Sequence, residues 1–286
     1  MGWKLGRIGQ GVAVCCIALT ALCFTVSAQS VTPLLSASRT STALLAWAHF
    51  PVNASPRPLI LIDGDNVNAP ALGFPSDDTK AAYDDGNITA PLRFPTGPRS
   101  GAGFPLVSSQ SAFNTLKDAA ISGPPATTPL VVTRVRLGMG VFQTDRGQRT
   151  LPAWLFSFQG VQNPAQVLAV APSRIFTPRR VTLPDAIPES SLPVGSATLA
   201  SDHRTLTVEV AGAPEGTGPC EATYSLRTGA SKKAVAVAVD QVVHYKSGVG
   251  CLLQGALIPL DTNLAKPLGN RVVVDAYSAT AVPVTS

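Results

Sequence analysis

Three histidines, His49, His203 and His244, are the only imidazoles in this chain, and each is a starting point for a general base. His244 stands four residues after Asp240 in "DQVVH", a carboxylate–imidazole pair in type. On a strand, however, that spacing separates the two by roughly 13 Å, beyond hydrogen-bond reach. His203 sits in the turn "SDHR", where the tolerance of histidine for positive φ suits a conformational role. His49 follows Trp47 in "LLAWAHF" and reads as packing. No GxSxG elbow, HExxH helix, P-loop, kinase set or dinucleotide fingerprint occurs, so no catalytic residue is assigned.

"DGDN", Asp63 to Asn66, opens like a calcium loop but lacks the later acidic ligands. Asp77, Asp78, Asp84 and Asp85 would reach it only through folding. A turn followed by helix capping explains these acids more simply, and neither a metal nor another cofactor is implied. "NAS" at Asn53 and "NIT" at Asn87 read as chance sequons. Of the five cysteines, Cys15, Cys16 and Cys23 fall in an apolar leader. The remaining pair, Cys220 and Cys251, reads as one structural disulfide in an oxidising compartment. Such a bridge stabilises by roughly 3–4 kcal/mol in the chain-entropy model.

"RTLPAWLFSFQG" holds the densest aromatic run. Alternation places Trp154, Phe156 and Phe158 on one face and Leu151, Ala153 and Leu155 on the other. Two apolar faces describe a strand buried on both sides. The competing reading, a ligand-stacking platform, makes Trp154, Phe156 and Phe158 the candidate binding residues. Pro152 lacks a ladder donor, which puts the strand start there or beside an edge.

The leader decides the compartment. "MGWKLGR" supplies positive charge, Ile8 to Ala28 carries none, and "VSA" offers small residues to a peptidase. Residues 1–28 therefore read as a secretory signal cleaved after Ala28, giving a secreted or cell-envelope protein. Cys15 follows Val14 and Cys23 follows Leu22, so no lipobox is present. Membrane attachment is expected only if the leader is retained. Charged residues are 14% of the 286-residue chain, against roughly 25% in ordinary globular proteins. The net charge of +5 falls by two when Lys4 and Arg7 leave. The densest basic cluster, Arg174, Arg179 and Arg180, is too small for a nucleic-acid footprint, so no nucleic-acid partner is expected.

The elements that must position these residues follow from pattern. Residues 29–41 show no clear period. "RPLILIDG" reads as a short buried strand. "SDDTKAAYDDGN" predicts a helix capped by Ser76 and stopped by Gly86. "SSQSAFNTLKDAAISG" predicts another, with Phe113, Leu116 and Ala120 on one face and Gly123 beyond its end. From Pro129 the β signal takes over: Val131, Thr133, Val135, Leu137, Met139 and Val141 share one face. "QTDRGQR" turns, "TLPAWLFSF" returns and "AQVLAV" adds a third strand, an antiparallel meander. Residues 182–196 are rich in Pro and Ser and read as a linker. Beyond it, six or seven short strands favour a sandwich. The expected fold is mainly β: an N-terminal α+β domain (29–181) containing the meander, then a C-terminal antiparallel β-sandwich-like domain (197–286).

"LGMGVFQTDRGQRTLPAWLFSFQGVQNPAQVLAVAP" and "PLGNRVVVDA", with "CEATY" and a later Cys between them, resemble a group of secreted proteins and lipoproteins of actinobacteria. The resemblance runs from about Arg57 to the C-terminus, and TDRG followed by LPAW is its most specific part. It implies an extracytoplasmic protein of unknown function and transfers no catalytic residue. The chain departs from the lipoprotein members in lacking the lipobox, and it carries Asp202-His203 where an Asp-Gly turn would be usual. The expected function is a non-enzymatic binding or structural module of the envelope. Its partner would be a cell-wall glycan or another envelope protein. The alternative is an extracellular hydrolase or glycan-active enzyme assembled from scattered Asp, Ser and His.

Overall fold

A computed structural model describes residues 31–121, 126–183, 189–251 and 255–286, with side chains from residue 38 onward except Asp63. The leader with its cleavage point after Ala28, Gly123 and the middle of the 182–196 stretch lie outside the described residues. In chain order the N-terminal half contains α1 (Val31–Ala46), β1 (Val67–Asn68), α2 (Asp77–Asp84), β2 (Ile88–Thr89), β3 (Ser100–Gly101) and β4 (Phe104–Pro105). It continues with α3 (Ser109–Asp118), β5 (Leu130–Thr144), β6 (Gly147–Phe158) and β7 (Ala165–Leu168). The C-terminal half contains β8 (Ser191–Leu192), β9 (Val194–Leu199), β10 (Thr205–Gly212) and β11 (Ala222–Ala230). After these come β12 (Ala234–Val243), β13 (Ala256–Asn263), β14 (Val272–Asp275) and β15 (Val284–Thr285). The fold is mainly β.

The N-terminal sheet has the order β1-β7-β6-β5-β2, and β5–β6–β7 is the antiparallel meander expected from the sequence. One face is covered by α2 and α3, whose Ala82, Ala112, Phe113 and Leu116 pack on Trp154, Phe156 and Phe158. Both helices begin as their sequences dictate: the Ser76 hydroxyl accepts from Thr79 N–H at 3.2 Å and that of Ser108 from Ser111 N–H at 3.1 Å. Ala112, not Ala120, completes the buried face of α3, because Ala120 lies past the end of the helix and is exposed. Gly86 takes φ 66° behind α2; an added Cβ there would meet the Lys117 carbonyl oxygen at 2.8 Å.

β5 departs from simple alternation. A register shift between Val132 and Arg134 is a bulge that exchanges the strand's faces. Leu130 and Val132, then Val135 and Leu137, therefore face the helices. Val131 and Thr133 do not share that face, while Met139 and Val141 run beyond the helical cover and are half exposed. Pro152 is also not a strand start: it lies inside β6, opposite Met139. Its carbonyl accepts from Ala169 just past the end of β7, so the missing donor falls at the rim of the β6–β7 ladder.

The C-terminal half is a sandwich of two sheets, β13-β10-β9-β15 and β11-β12-β14, with β8 added alongside β12. Two of its pairings, β12–β14 and β15–β9, are parallel, which corrects the all-antiparallel expectation. Parallel neighbours arise because β14 and β15 return to the sheets over long connections rather than tight turns. β12 reads "AVAVAVD": Val235, Val237 and Val239 enter the sandwich core, whereas Ala234, Ala236 and Ala238 face outward onto α1. Alanines let a helix lie close, and Gly229 does the same on β11, where a Cβ would sit 2.3 Å from Thr40 Cγ2.

Two sequence expectations yield here. The aperiodic 29–41 stretch is, from Val31 onward, the start of α1; its mixture of Ser, Thr and Ala blurs the helical period, and helix formation is supported by packing on the alanine face of β12. The linker 182–196 is also largely built in. Leu192 in β8 and Val194 in β9 are buried in the sandwich core, and Val181 and Leu183 pack beside α1. The expected cut between 29–181 and 197–286 therefore does not separate two independent cores: Ala43, Trp47 and Phe50 join Val272, Val274 and Ala276 in one cluster.

Candidate functional site

The aromatic row offers no face to a ligand. Trp154 is 1% exposed, Phe156 is fully buried, and Phe158 is 3% exposed. Trp154 Nε1 donates to the Val107 carbonyl at 2.9 Å, so burial leaves no unpaired indole donor. Gly97 closes over the indole, where a Cβ would fall 2.6 Å from its ring. Phe156 meets the ring of Phe113 and Phe158 that of Tyr83, each with centroids 6.0 Å apart. Burial also pushes the Tyr83 hydroxyl up to about 12, with the Asp84 charge adding to the effect. These rings are packing, which corrects their candidacy as a binding platform.

The three histidines fall on separate segments of the fold. His49 is exposed after α1, and His203 is exposed at φ 57° in the β9–β10 turn. His244 lies just past β12 with Nε2 buried and without a hydrogen-bond partner. Asp240, its neighbour in sequence, points elsewhere: it accepts from Arg227, Tyr277 and Ser191. Of the acids singled out, Asp65 and Asp84 do line one small pocket of about 200 Å³. Asp84 is paired with Lys80 there, and Asp78 instead caps Thr127. Among the described residues no group of three or more His, Cys, Asp or Glu is placed to hold a metal ion. Cys220 and Cys251 form a disulfide with Cα atoms 5.4 Å apart.

The most elaborate polar construction joins the two halves of the molecule. It starts at "TDRG", which forms the tip of the β5–β6 hairpin, Gly147 taking φ 74°. Asp145 at this tip is 2% exposed and accepts hydrogen bonds from Nη1 and Nη2 of Arg57, a bidentate fork. Arg57 stacks over Phe50 at 4.9 Å. Arg146 reaches the other way and donates to the carbonyls of Gly269 and Arg271, both at 2.8 Å. Burial draws its pKa down and the neighbouring Arg57 adds to this, while Asp145 opposes it. The Val284 N–H donates to the Asp145 carbonyl at 3.1 Å. One hairpin tip thus holds the C-terminal strands.

Beside this clasp lies a groove of about 540 Å³ between the halves. Its walls come from two extended segments. "RPLILIDG" is not a laddered strand; it makes single bridges from Leu59 to Ile175 and from Leu61 to Thr144. Its alternation sends Leu59 and Leu61 into the N-terminal core and Ile60 into the shared cluster. The second segment opens at Pro172 with one 3-10 turn. It then runs through Phe176, whose ring packs 5.5 Å from Trp47 and 5.1 Å from Phe50. Trp47 Nε1 donates to Ala279 at 2.9 Å. The groove is therefore floored by Trp47, Ile60 and Phe176 and edged by Asn66, Thr177 and Thr280. Arg179 and Arg180 continue the same wall and are exposed. Sequence reasoning missed this site because its residues come from four separated stretches; the prolines at 172 and 178 were the one local sign of an ordered extended wall.

Comparisons with family models, with curated proteins and with solved structures return no match for this chain.

Proposed function

We propose that this chain is an exported, non-enzymatic binding module of the cell envelope whose ligand is seated in the groove between its two halves. The observation that carries the reading is the groove itself: about 540 Å³, within the range of ligand pockets. An apolar and aromatic floor is combined there with a few amide and hydroxyl groups at the rim. A cell-wall glycan suits that surface, because sugar rings present C–H faces to Phe176 and the prolines, and hydroxyls to Asn66, Thr177 and Thr280. The Asp145 clasp holds the 57–61 wall through Arg57 and Ile60, and Leu59 ties that wall to the second by backbone bonds with Arg174 and Phe176. Both walls are thus ordered before binding, which reduces the ordering cost of complex formation. Export is supported by the charged-then-apolar leader ending at Ala28 and by a disulfide of the kind that persists in oxidising compartments. The resemblance to actinobacterial secreted proteins agrees with the same placement.

The test is titration of the mature chain (from Gln29) with soluble peptidoglycan fragments, read by Trp47 fluorescence and by amide shifts in 172–178. Saturable binding that Ala281→Trp blocks supports the reading. Absence of binding, or binding that Ala281→Trp leaves unchanged, overturns the glycan assignment. Hydrolysis of the fragments during the assay overturns the non-enzymatic one.

A further inference from the structure

A second concavity of about 760 Å³ lies at one end of the sandwich and shares no lining residue with the groove between the halves. It is walled by the end of β11, the β11–β12 turn and the segment that follows β13, with Val235 and Leu264 beneath. Three of its lining residues are cationic, Lys232, Lys266 and Arg271, and none is acidic. A concentration of one sign in a concavity attracts the opposite charge.

The three cations are not equivalent. Arg271 donates through Nη2 to the Lys266 and Pro267 carbonyls, both at 2.8 Å, and through Nε to Leu268 at 3.2 Å. Its donors are turned onto the loop it holds, so it supplies fixed charge rather than a free fork for a planar carboxylate. Lys232 and Lys266 are exposed and make no ion pair among the described residues; each presents a point charge with three rotatable donors. The Asn263 side-chain amide lies 3.1 Å from the Thr205 hydroxyl, whose one proton also faces Asp202 at 2.7 Å, and it adds amide polarity to the groove wall. Thr228 adds a hydroxyl on the opposite wall. Two point charges with amide and hydroxyl donors match the tetrahedral oxygens of a phosphate group better than a flat carboxylate.

We infer that the groove walled by Lys232, Lys266, Arg271, Thr228 and Asn263 binds a phosphate-bearing ligand. The two lysines carry the affinity, and the loop fixed by Arg271 holds the site open. It shares no lining residue with the groove between the halves, although Arg146 of the clasp holds the Arg271 carbonyl at its edge.

The experiment is titration of the mature chain with pyrophosphate, with a poly(glycerol phosphate) and with polyglutamate, followed by backbone amide shifts. Phosphate probes are expected to move amides of 228–232 and 263–267 and to bind at least tenfold more tightly than polyglutamate. Pyrophosphate alone saturating the site identifies a small diphosphate ligand; stronger binding by the polymer identifies a phosphate polymer. The double variant Lys232→Glu, Lys266→Glu is expected to weaken binding at least tenfold. Both side chains are exposed, so the rest of the amide spectrum should stay in place as a check on folding. No shift at these amides, equal affinity for polyglutamate, or unchanged affinity in the double variant each overturns the inference. None of these results bears on glycan binding at 172–178.

Discussion

The N-terminal sheet and the C-terminal sandwich bury similar strands by different means. β6 carries large side chains on both faces: Trp154, Phe156 and Phe158 under the helices, Leu151 and Leu155 toward the 59–61 segment. β12 is also covered on both faces over Ala234–Val239, yet with nothing larger than valine there: valines inward, alanines against α1. The aromatic strand spans wide gaps to short helices, whereas the alanine face lets one long helix approach closely. Side-chain volume is thus matched to the distance of whatever covers each face.

That contrast can be broken at its strongest point first. Trp154→Ala empties the helix-covered core and removes the Val107 hydrogen bond; a loss of about 3–5 kcal/mol is expected in urea denaturation. Val237→Ala removes less volume from the sandwich, and about 2 kcal/mol is expected in the same measurement. A comparable loss at both sites would show that the two cores do not differ as described.

Asp145→Ala leaves the half-buried Arg57 beside Phe50 without its carboxylate. Removing one partner of a buried pair costs about 3 kcal/mol or more, and here the loss should appear as separate unfolding of the two halves in calorimetry. A single sharpened transition would argue that the clasp does not couple them. Ala236→Leu reverses the logic of the alanine face by forcing α1 off β12. Overpacking of this kind costs about 1–3 kcal/mol, and increased amide exchange should be confined to residues 38–46.

Asp275 offers a pH test. Burial raises its pKa despite the donors of Tyr277 and Ser278. A carboxyl whose folded pKa is raised binds its proton more tightly in the folded state. Its stabilising contribution is complete below the ordinary carboxylate value and is lost as pH rises through the folded value. Asp275→Asn should flatten that fall in the pH dependence of the melting temperature. The smallest effect is expected at His203, held at φ 57°. His203→Gly should stabilise the β9–β10 hairpin by under about 1 kcal/mol. Asp202 remains the anchor of this turn: it accepts from Arg204 N–H, Thr205 N–H and the Thr205 hydroxyl, which lower its pKa to about 2.

Local pattern was legible wherever one face of an element met one environment. The Ser76 cap and the cystine partners Cys220 and Cys251 could both be read directly. The apolar faces of β6 likewise predicted burial on both sides. Legibility failed where a remote segment supplied the missing half. α1 lacks a periodic apolar stripe because its partner face is made of alanines almost two hundred residues away. The β5 bulge left no mark in composition, and the 182–196 stretch looked like a linker because two of its buried residues, Leu192 and Val194, flank a proline.

The sequence by itself determined a β-rich chain, its main hairpins, its helix caps and the pairing of its two late cysteines, since each depends on period, capping or chemistry within a short span. Only the tertiary structure decided that α1 belongs to the sandwich, that Asp145 sits between Arg57 and Arg146, and that two grooves of different character exist. Those features rest on contacts between residues far apart in the chain, where burial and charge pairing act through space and leave no local period to read.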